Sequence, residues 1–236
     1  MNLSNETVSV LKNFATINQN LVIKSGSSIS TMSAMKNIVA LAEVKEVFPT
    51  EFAIYDLNEF LASLSLFEKP NLDFKDDFVV ITEDGSTGKT LKYWYSDPSV
   101  VTTPTKEITM PECEVNFSFE NGLLSNVQKA AAVIGVPDMV LEGMDNGIAL
   151  LKVTDKKNAT ANDYAVKINV NNDHWSRNNE DGKNLSYKFW FKVENLKLLS
   201  GTYNVAVSSK NISHFVNANV DIQYWIALEP ESKYDA

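Results

Sequence analysis

The chain's 236 residues suffice for one large domain or for two of about 100–120 residues each, with a full apolar core. Hydrophobic residues make up 44% and charged residues 22%, ordinary for a soluble globular protein, and no run approaches the roughly eighteen apolar residues that cross a bilayer. A net charge of −9, from 21 basic and 30 acidic side chains, argues against a tight grip on nucleic acid, which normally needs a basic surface.

Met1 to Glu6 has neither a basic start nor an apolar run, so no signal peptide is expected, and the single Cys113 excludes an internal disulfide and fits a reducing cytoplasm. A helix is predicted from Ser4, its N-cap, to Ile17: Glu6 sits in the first turn, and Val10, Leu11, Phe14 and Ile17 recur at helical spacing. Ser9, Lys12, Asn13 and Thr16 make its opposite, polar face. A strand follows at Leu21–Ile23 and a turn at Ser25–Ser27. The strand Phe52–Tyr55 then leads into a short helix, Leu57 to Leu66, with further strands at about 72–82 and 90–95. From 99 to 111 the chain reads as an extended connector, because β-branched residues with Pro98, Pro104 and Pro111 suit neither a helix nor a sheet interior.

The second half repeats the first. An offset of 117 carries Lys12 to Lys129, Ile17 to Ile134 and Gly26 to Gly143; an offset of 137 carries Phe52 to Phe189, Asn58 to Asn195 and Leu61 to Leu198. A second long helix is predicted with Leu124, Val127, Ala131 and Ile134 on its stripe and Ser125, Asn126 and Lys129 facing away. A second short helix is predicted over Val193–Leu199, stopped by Ser200-Gly201, and the polar stretch Asp155–Asn184 reads as a longer loop or an extended hairpin. The expected organisation is α+β: domain 1 over 1–98, connector 99–111, domain 2 over 112–236, each with two helices on one face of antiparallel sheet. The tail Glu229–Ala236 is polar and expected to be mobile.

No motif argues for catalysis. Gly85-Ser86-Thr87-Gly88-Lys89-Thr90 has the ending of a phosphate loop, but Glu83 stands where its first glycine belongs and a strand follows instead of a helix. His174 and His214 have no cysteine or second histidine at metal-ligand spacing, and nothing local pairs Cys113 with either. The acidic pairs Asp76-Asp77, Glu83-Asp84 and Glu180-Asp181 fall in turns, and Asn178 to Gly182 lacks the alternating ligands of a calcium loop. No metal, cofactor or catalytic residue is therefore expected.

Four stretches carry a resemblance: Leu11–Asn18, Ala53–Leu61, Asp97-Pro98-Ser99-Val100-Val101, and Ala227-Leu228-Glu229. Together they closely resemble the sliding clamps of T-even-type tailed phages, along the whole chain but most weakly in the middle of the second half. The resemblance implies the DNA clamp fold: two similar domains per subunit in a homotrimeric ring, like the eukaryotic proliferating cell antigen, with helices lining a central pore around duplex DNA. It implies three associates: a replicative polymerase whose C-terminal peptide docks under the connector, an ATP-driven clamp loader, and late transcription, which the clamp activates. It also implies the cytoplasm of a bacterial host. A ring held by topology needs no strong phosphate grip, which answers the acidic balance.

On this reading the DNA-proximal residues are Lys12, Asn13 and Thr16 on the first long helix and Asn126 and Lys129 on the second. Lys192 and Lys197 on the second short helix complete that set. The partner-peptide pocket is expected from Val100, Val101, Ile108 and Met110 on the connector with Trp225, Ala227 and Leu228 near the end of the chain. Two alternatives compete. A β-rich virion or carbohydrate-binding module would display Trp175 or Trp190 in a groove, and a nucleotide enzyme built on Gly88-Lys89-Thr90 would lose binding on Lys89→Ala.

Overall fold

The computed structural model describes residues 1–83, 85, 88–144, 147–171 and 186–235, which form two compact units, Met1–Glu107 and Ile108–Ala236. In the first, Ser4 caps α1 (Asn5–Ile17) by accepting the Thr7 N–H at 3.2 Å, and Val10, Leu11, Phe14 and Ile17 are buried as the spacing required. Strands β1 (Leu21–Ile23), β2 (Gly26–Met32), β3 (Ile38–Phe48) and β4 (Phe52–Ile54) follow in an antiparallel sheet ordered β3-β2-β1-β4. Along β3, Ile38, Ala40, Ala42 and Val44 are buried while Glu43 and Lys45 face solvent, so α1 packs on an apolar face with period two.

Helix α2 (Leu57–Leu64) begins at Asp56, whose carboxylate accepts the Asn58 and Glu59 N–H groups, and it buries Leu57, Phe60 and Leu64. The predicted strand at 72–82 is instead two, β5 (Pro70–Phe74) and β6 (Phe78–Glu83), because Lys75-Asp76-Asp77 turns the chain; β7 (Thr90–Trp94) completes a sheet ordered β5-β6-β7. Thr82 pairs with Thr90 across the Gly85–Lys89 connection, so the stretch that ends like a phosphate loop joins two strands and opens no helix. Asp84, Ser86 and Thr87 lie outside the described residues. The connector holds one 3-10 turn, Pro98–Val100, where only extended chain was expected; Asp97 accepts the Ser99 N–H and supplies its cap.

The start of α1 is tied to β3 through Glu46, whose carboxylate accepts the Ser4 backbone N–H and the Thr7 hydroxyl. Burial alone would raise this carboxyl's pKa, but those hydrogen bonds outweigh it and hold the group below the usual carboxylate range. A depressed folded-state pKa contributes stability that is present above the unfolded value and lost as pH falls through the folded one. Glu46→Gln is therefore expected to cost about 1 kcal/mol in urea unfolding at pH 7, with the gap to wild type closing as the pH falls through and below the usual carboxylate range.

The second unit opens with β8 (Val115–Phe119) and α3 (Leu123–Ile134), bracketed by Gly122 at φ 100° and Gly135 at φ 70°, positions only glycine takes without strain. Then come β9 (Asp138–Gly143), β10 (Ile148–Thr154), β11 (Tyr164–Asn171) and β12 (Ser186–Lys192). After them run β13 (Tyr203–Ser208), β14 (Ile212–Asn217), β15 (Ile222–Ala227) and β16 (Lys233–Asp235). All pairs are antiparallel, in the order β16-β12-β9-β10-β11-β8-β13-β14-β15, with α3 packed across β10 and β11. Val127 and Ala131 of α3 are buried, while Leu124 and Ile134 are only half-buried.

Two expectations fail here. The helix over Val193–Leu199 is a single 3-10 turn, Val193–Asn195, so the described residues hold three α-helices and not four. Under the 137-residue offset Val193 replaces the capping Asp56 and offers no oxygen to the first turn. The backbone beyond it is satisfied by side chains. Gln128 donates to the Leu196 carbonyl at 2.8 Å, the Tyr203 hydroxyl to the Leu199 carbonyl at 2.6 Å, and the Leu199 N–H to the Tyr224 hydroxyl at 3.0 Å. The tail is not free either: β16 pairs with β12, placing Tyr234 opposite Tyr187.

Candidate DNA-facing and partner surfaces

The two long helices present similar faces. On α1 Ser9, Lys12 and Thr16 are exposed; the Ser9 hydroxyl donates to the Asn5 carbonyl at 2.8 Å and the Thr16 hydroxyl to the Asn13 carbonyl at 2.7 Å. On α3 Ser125, Asn126 and Lys129 are exposed, and Ser125 donates to the Gly122 carbonyl at 2.9 Å. Hydroxyls turned back onto their own backbone leave a short polar surface with little left to bind a neighbour. Above it stand Lys12 and Lys129, neither of them in an ion pair among the described residues. The exposed positions of α2 are Asn58, Glu59 and Ala62, so that helix adds no cation.

Lys192 and Lys197 do not share this setting. Lys192 ends β12, and its ammonium donates to Asp138, whose side chain is 1% exposed. Lys197 follows the 3-10 turn in irregular chain. Asp138 was missed in the sequence; a carboxylate directly after Pro137 at the head of an apolar strand was its only signal.

Of the residues expected to meet a partner, Val100 and Val101 lie in the first unit. Val100 is 56% exposed, whereas Val101 is buried against Val22 and Ala53. In the second unit Ile108 and Met110 are half-buried and Ala227 is exposed at the end of β15. Leu228 is buried, its N–H donating to the Asn211 carbonyl at 3.0 Å. Trp225 is half-buried and stacked on His214, with ring centroids 4.8 Å apart and planes 10° from parallel.

That histidine is structural. Its Nε2 meets Gln223 Oε1 at 2.8 Å, and burial lowers its pKa against the opposing pull of Gln223, which keeps it neutral beside the indole. Cys113, half-buried, donates its thiol to the Pro111 carbonyl, and burial followed by Glu114 pushes its pKa up, the reverse of an activated nucleophile. His174, Trp175, Arg177 and the Asn178–Gly182 stretch, including Glu180 and Asp181, lie outside the described residues. Among the described residues no cluster of three or more His, Cys, Asp or Glu is arranged to hold a metal, and no helix is long and apolar enough to cross a membrane.

Residues 4–102 match the family model described as DNA polymerase processivity factor. The chain is 32% identical to the sliding clamp of Vibrio phage KVP40 over 97% of its own length and 99% of that protein's. It belongs to the sliding clamp family. The sliding clamp of Enterobacteria phage T4 is 27% identical, with both chains covered end to end. A. fulgidus PCNA, solved with the C-terminal region of FEN-1 bound, superposes with a TM-score of 0.69 at 12% identity over 98% of each chain, a likeness of fold. This sliding clamp is thus a polymerase processivity factor and not an enzyme, which removes the nucleotide-enzyme and carbohydrate-module alternatives. Trp190, which the latter would display in a groove, is half-buried in β12, where its backbone N–H donates to the Ser232 hydroxyl.

Proposed function

We propose that this sliding clamp works as a closed ring of three identical subunits around duplex DNA, in the cytoplasm of a bacterial host. It tethers the replicative polymerase through that enzyme's C-terminal peptide, is placed on DNA by an ATP-driven clamp loader, and serves late transcription from the same ring. What carries the reading is the equivalence of α1 and α3: each sets one lysine, Lys12 or Lys129, on a face of small hydroxyl and amide groups. Asn13, Thr16 and Asn126 share those faces. Sparse ammonium groups in a water-filled pore attract the phosphate backbone without fixing it, which is what sliding needs. Lys192, turned to Asp138, is left out of the set. The polymerase peptide's candidate contacts are Val100, exposed in the first unit, and in the second unit Ile108, Met110 and Trp225, half-buried, with Ala227 exposed; Val101 and Leu228 are each buried within their own unit.

Ring closure uses two strand edges. β7 ends its sheet with Trp94 61% exposed, and the Lys92 ammonium lies 4.1 Å from the Phe78 ring centroid and 5.1 Å from that of Trp94. β11 pairs with β10 along six residues but with β8 only at Val170 and Asn171, so its edge from Tyr164 to Ile168 has no strand beside it among the described residues. Unpaired edges of this kind either associate or are blocked. Joining β7 of one copy to β11 of the next is a head-to-tail contact, which closes a ring when the rotation permits.

Light scattering after size exclusion is expected to give three times the subunit mass. In Trp94→Glu, loss of a central aromatic anchor weakens assembly roughly 30-fold or more and leaves a folded monomer by circular dichroism. A wild-type monomer without effect on polymerase processivity would overturn the reading.

A further inference from the structure

The tail shows what its docking site selects. β16 adds a three-residue strand to the edge of β12, pairing Ser186 with Asp235, Tyr187 with Tyr234 and Lys188 with Lys233. Upstream, the Glu229 N–H donates to the Trp190 carbonyl at 2.8 Å and the Trp190 N–H to the Ser232 hydroxyl at 2.9 Å. Tyr234 stacks over Tyr187 and Phe189, both buried, and Lys156, its side chain only 9% exposed, binds Glu229 at 3.0 Å and Glu231 at 2.8 Å. The site therefore has three parts: a strand edge, an aromatic floor and a recessed cation. Its occupant is short, interrupted by Pro230, and ends the sheet with Lys233 and Asp235 exposed. A three-residue strand at the rim of a sheet is the sort of element that opens locally while the rest of the fold stays intact.

We propose that the β12 edge is a strand-acceptor site for a partner's extended acidic–aromatic peptide, in which a carboxylate stands three residues before an aromatic ring as Glu231 stands before Tyr234. β16 holds the site in cis and is displaced when such a peptide binds. Backbone pairing along an open edge supplies affinity without regard to sequence, while Lys156 and the Tyr187/Phe189 floor supply selection. A tethered strand competes at a high effective concentration, so an incoming peptide sees only the fraction of molecules whose tail has lifted. The inference is independent of ring closure.

The probe is a fluorescent peptide of sequence Glu229–Asp235, titrated into the full chain and into Glu231→Gln/Tyr234→Ala, whose tail is loosened. Anisotropy is expected to show binding at least ~10-fold tighter to the loosened chain, as release of a tethered competitor requires. Adding Lys156→Met to that chain, or placing alanine at the peptide's tyrosine, should abolish it. Equal affinity for the two chains, no saturation of the loosened chain by about 1 mM peptide (the affinity of a few weak contacts), or binding untouched by Lys156→Met would each overturn the proposal. Should the loosened chain not fold, hydrogen exchange on the wild-type protein decides. Excess peptide should speed exchange at Lys233–Asp235 while the Ser186–Lys188 amides stay protected; unchanged exchange in the tail overturns the proposal.

Discussion

Lys12→Ala combined with Lys129→Ala is expected to shorten the DNA made per polymerase binding event roughly 3- to 10-fold at about 200 mM salt, and to leave low-salt synthesis nearly unchanged. Both lysines are exposed on α1 and α3 and neither pairs with a carboxylate among the described residues, so their charge is available to an external anion. Each phosphate contact steepens the dependence of binding on salt by about 0.9 in log–log slope. The variant should therefore show a shallower slope, and its assembled mass and melting should match wild type. Lys36→Ala with Lys157→Ala removes the same charge from two turns outside the helices and serves as the control. A control that loses as much processivity as the helix variant would reduce the effect to net charge and refute the pore assignment.

Asp138 is the residue whose environment predicts the largest stability effect. Its side chain is 1% exposed and accepts from the Lys192 ammonium and, at 3.1 Å, from the Lys156 backbone N–H, joining the head of β9, the end of β12 and the turn after β10. Lys192→Met leaves that carboxylate buried without its cation and should cost about 3–5 kcal/mol in urea unfolding at pH 7, the range for breaking one side of a buried pair. Asp138→Asn keeps an acceptor for the Lys156 N–H and releases a lysine still 25% exposed, able to reach water, so it should cost less, about 1–2 kcal/mol. The double variant removes both charges and should be more stable than Lys192→Met alone, a coupling that a double-mutant cycle isolates. Strictly additive costs would mean that the two groups do not act as a pair.

How much of this was legible in the sequence depended on how locally each feature is determined. Ser4, Glu6 and the apolar stripe of α1 lie within one stretch of chain, and the helix follows from them directly. The long hairpin of β2 and β3 is not legible, because all but Val44 of Ala40-Leu41-Ala42-Glu43-Val44-Lys45-Glu46 are good helix formers; its period-two burial overrides that propensity only once a sheet partner is present. The missing fourth helix shows the limit of a repeat. Leu198 and Asn195 match their counterparts in the first unit, but the cap does not, and Tyr203, Tyr224 and Gln128 claim the backbone from far along the chain.

The offsets themselves slip by one. Val22 pairs with Ala53 in the first unit, which the offsets of 117 and 137 carry to 139 and 190, whereas Val140 is the residue that faces Trp190. Strand matches built on apolar identity alone do not fix register. Of the site residues, Lys12 and Lys129 stood out because a long helix displays them at matched positions. The setting of Lys192 could not be read, since its partner Asp138 lies 54 residues away. The docking of the tail is illegible for a related reason: polar sequence looks mobile until a strand edge, an aromatic pair and Lys156 come together around it.

The central claim, that DNA is held by enclosure and not by affinity, is tested most directly by loading the labelled clamp onto closed circular DNA with its loader and ATP, then washing in high salt. Enclosure predicts that the clamp stays on the closed circle and leaves within seconds to minutes once a single cut makes the DNA linear. Loss from the intact circle at the same rate as from the cut molecule would contradict it.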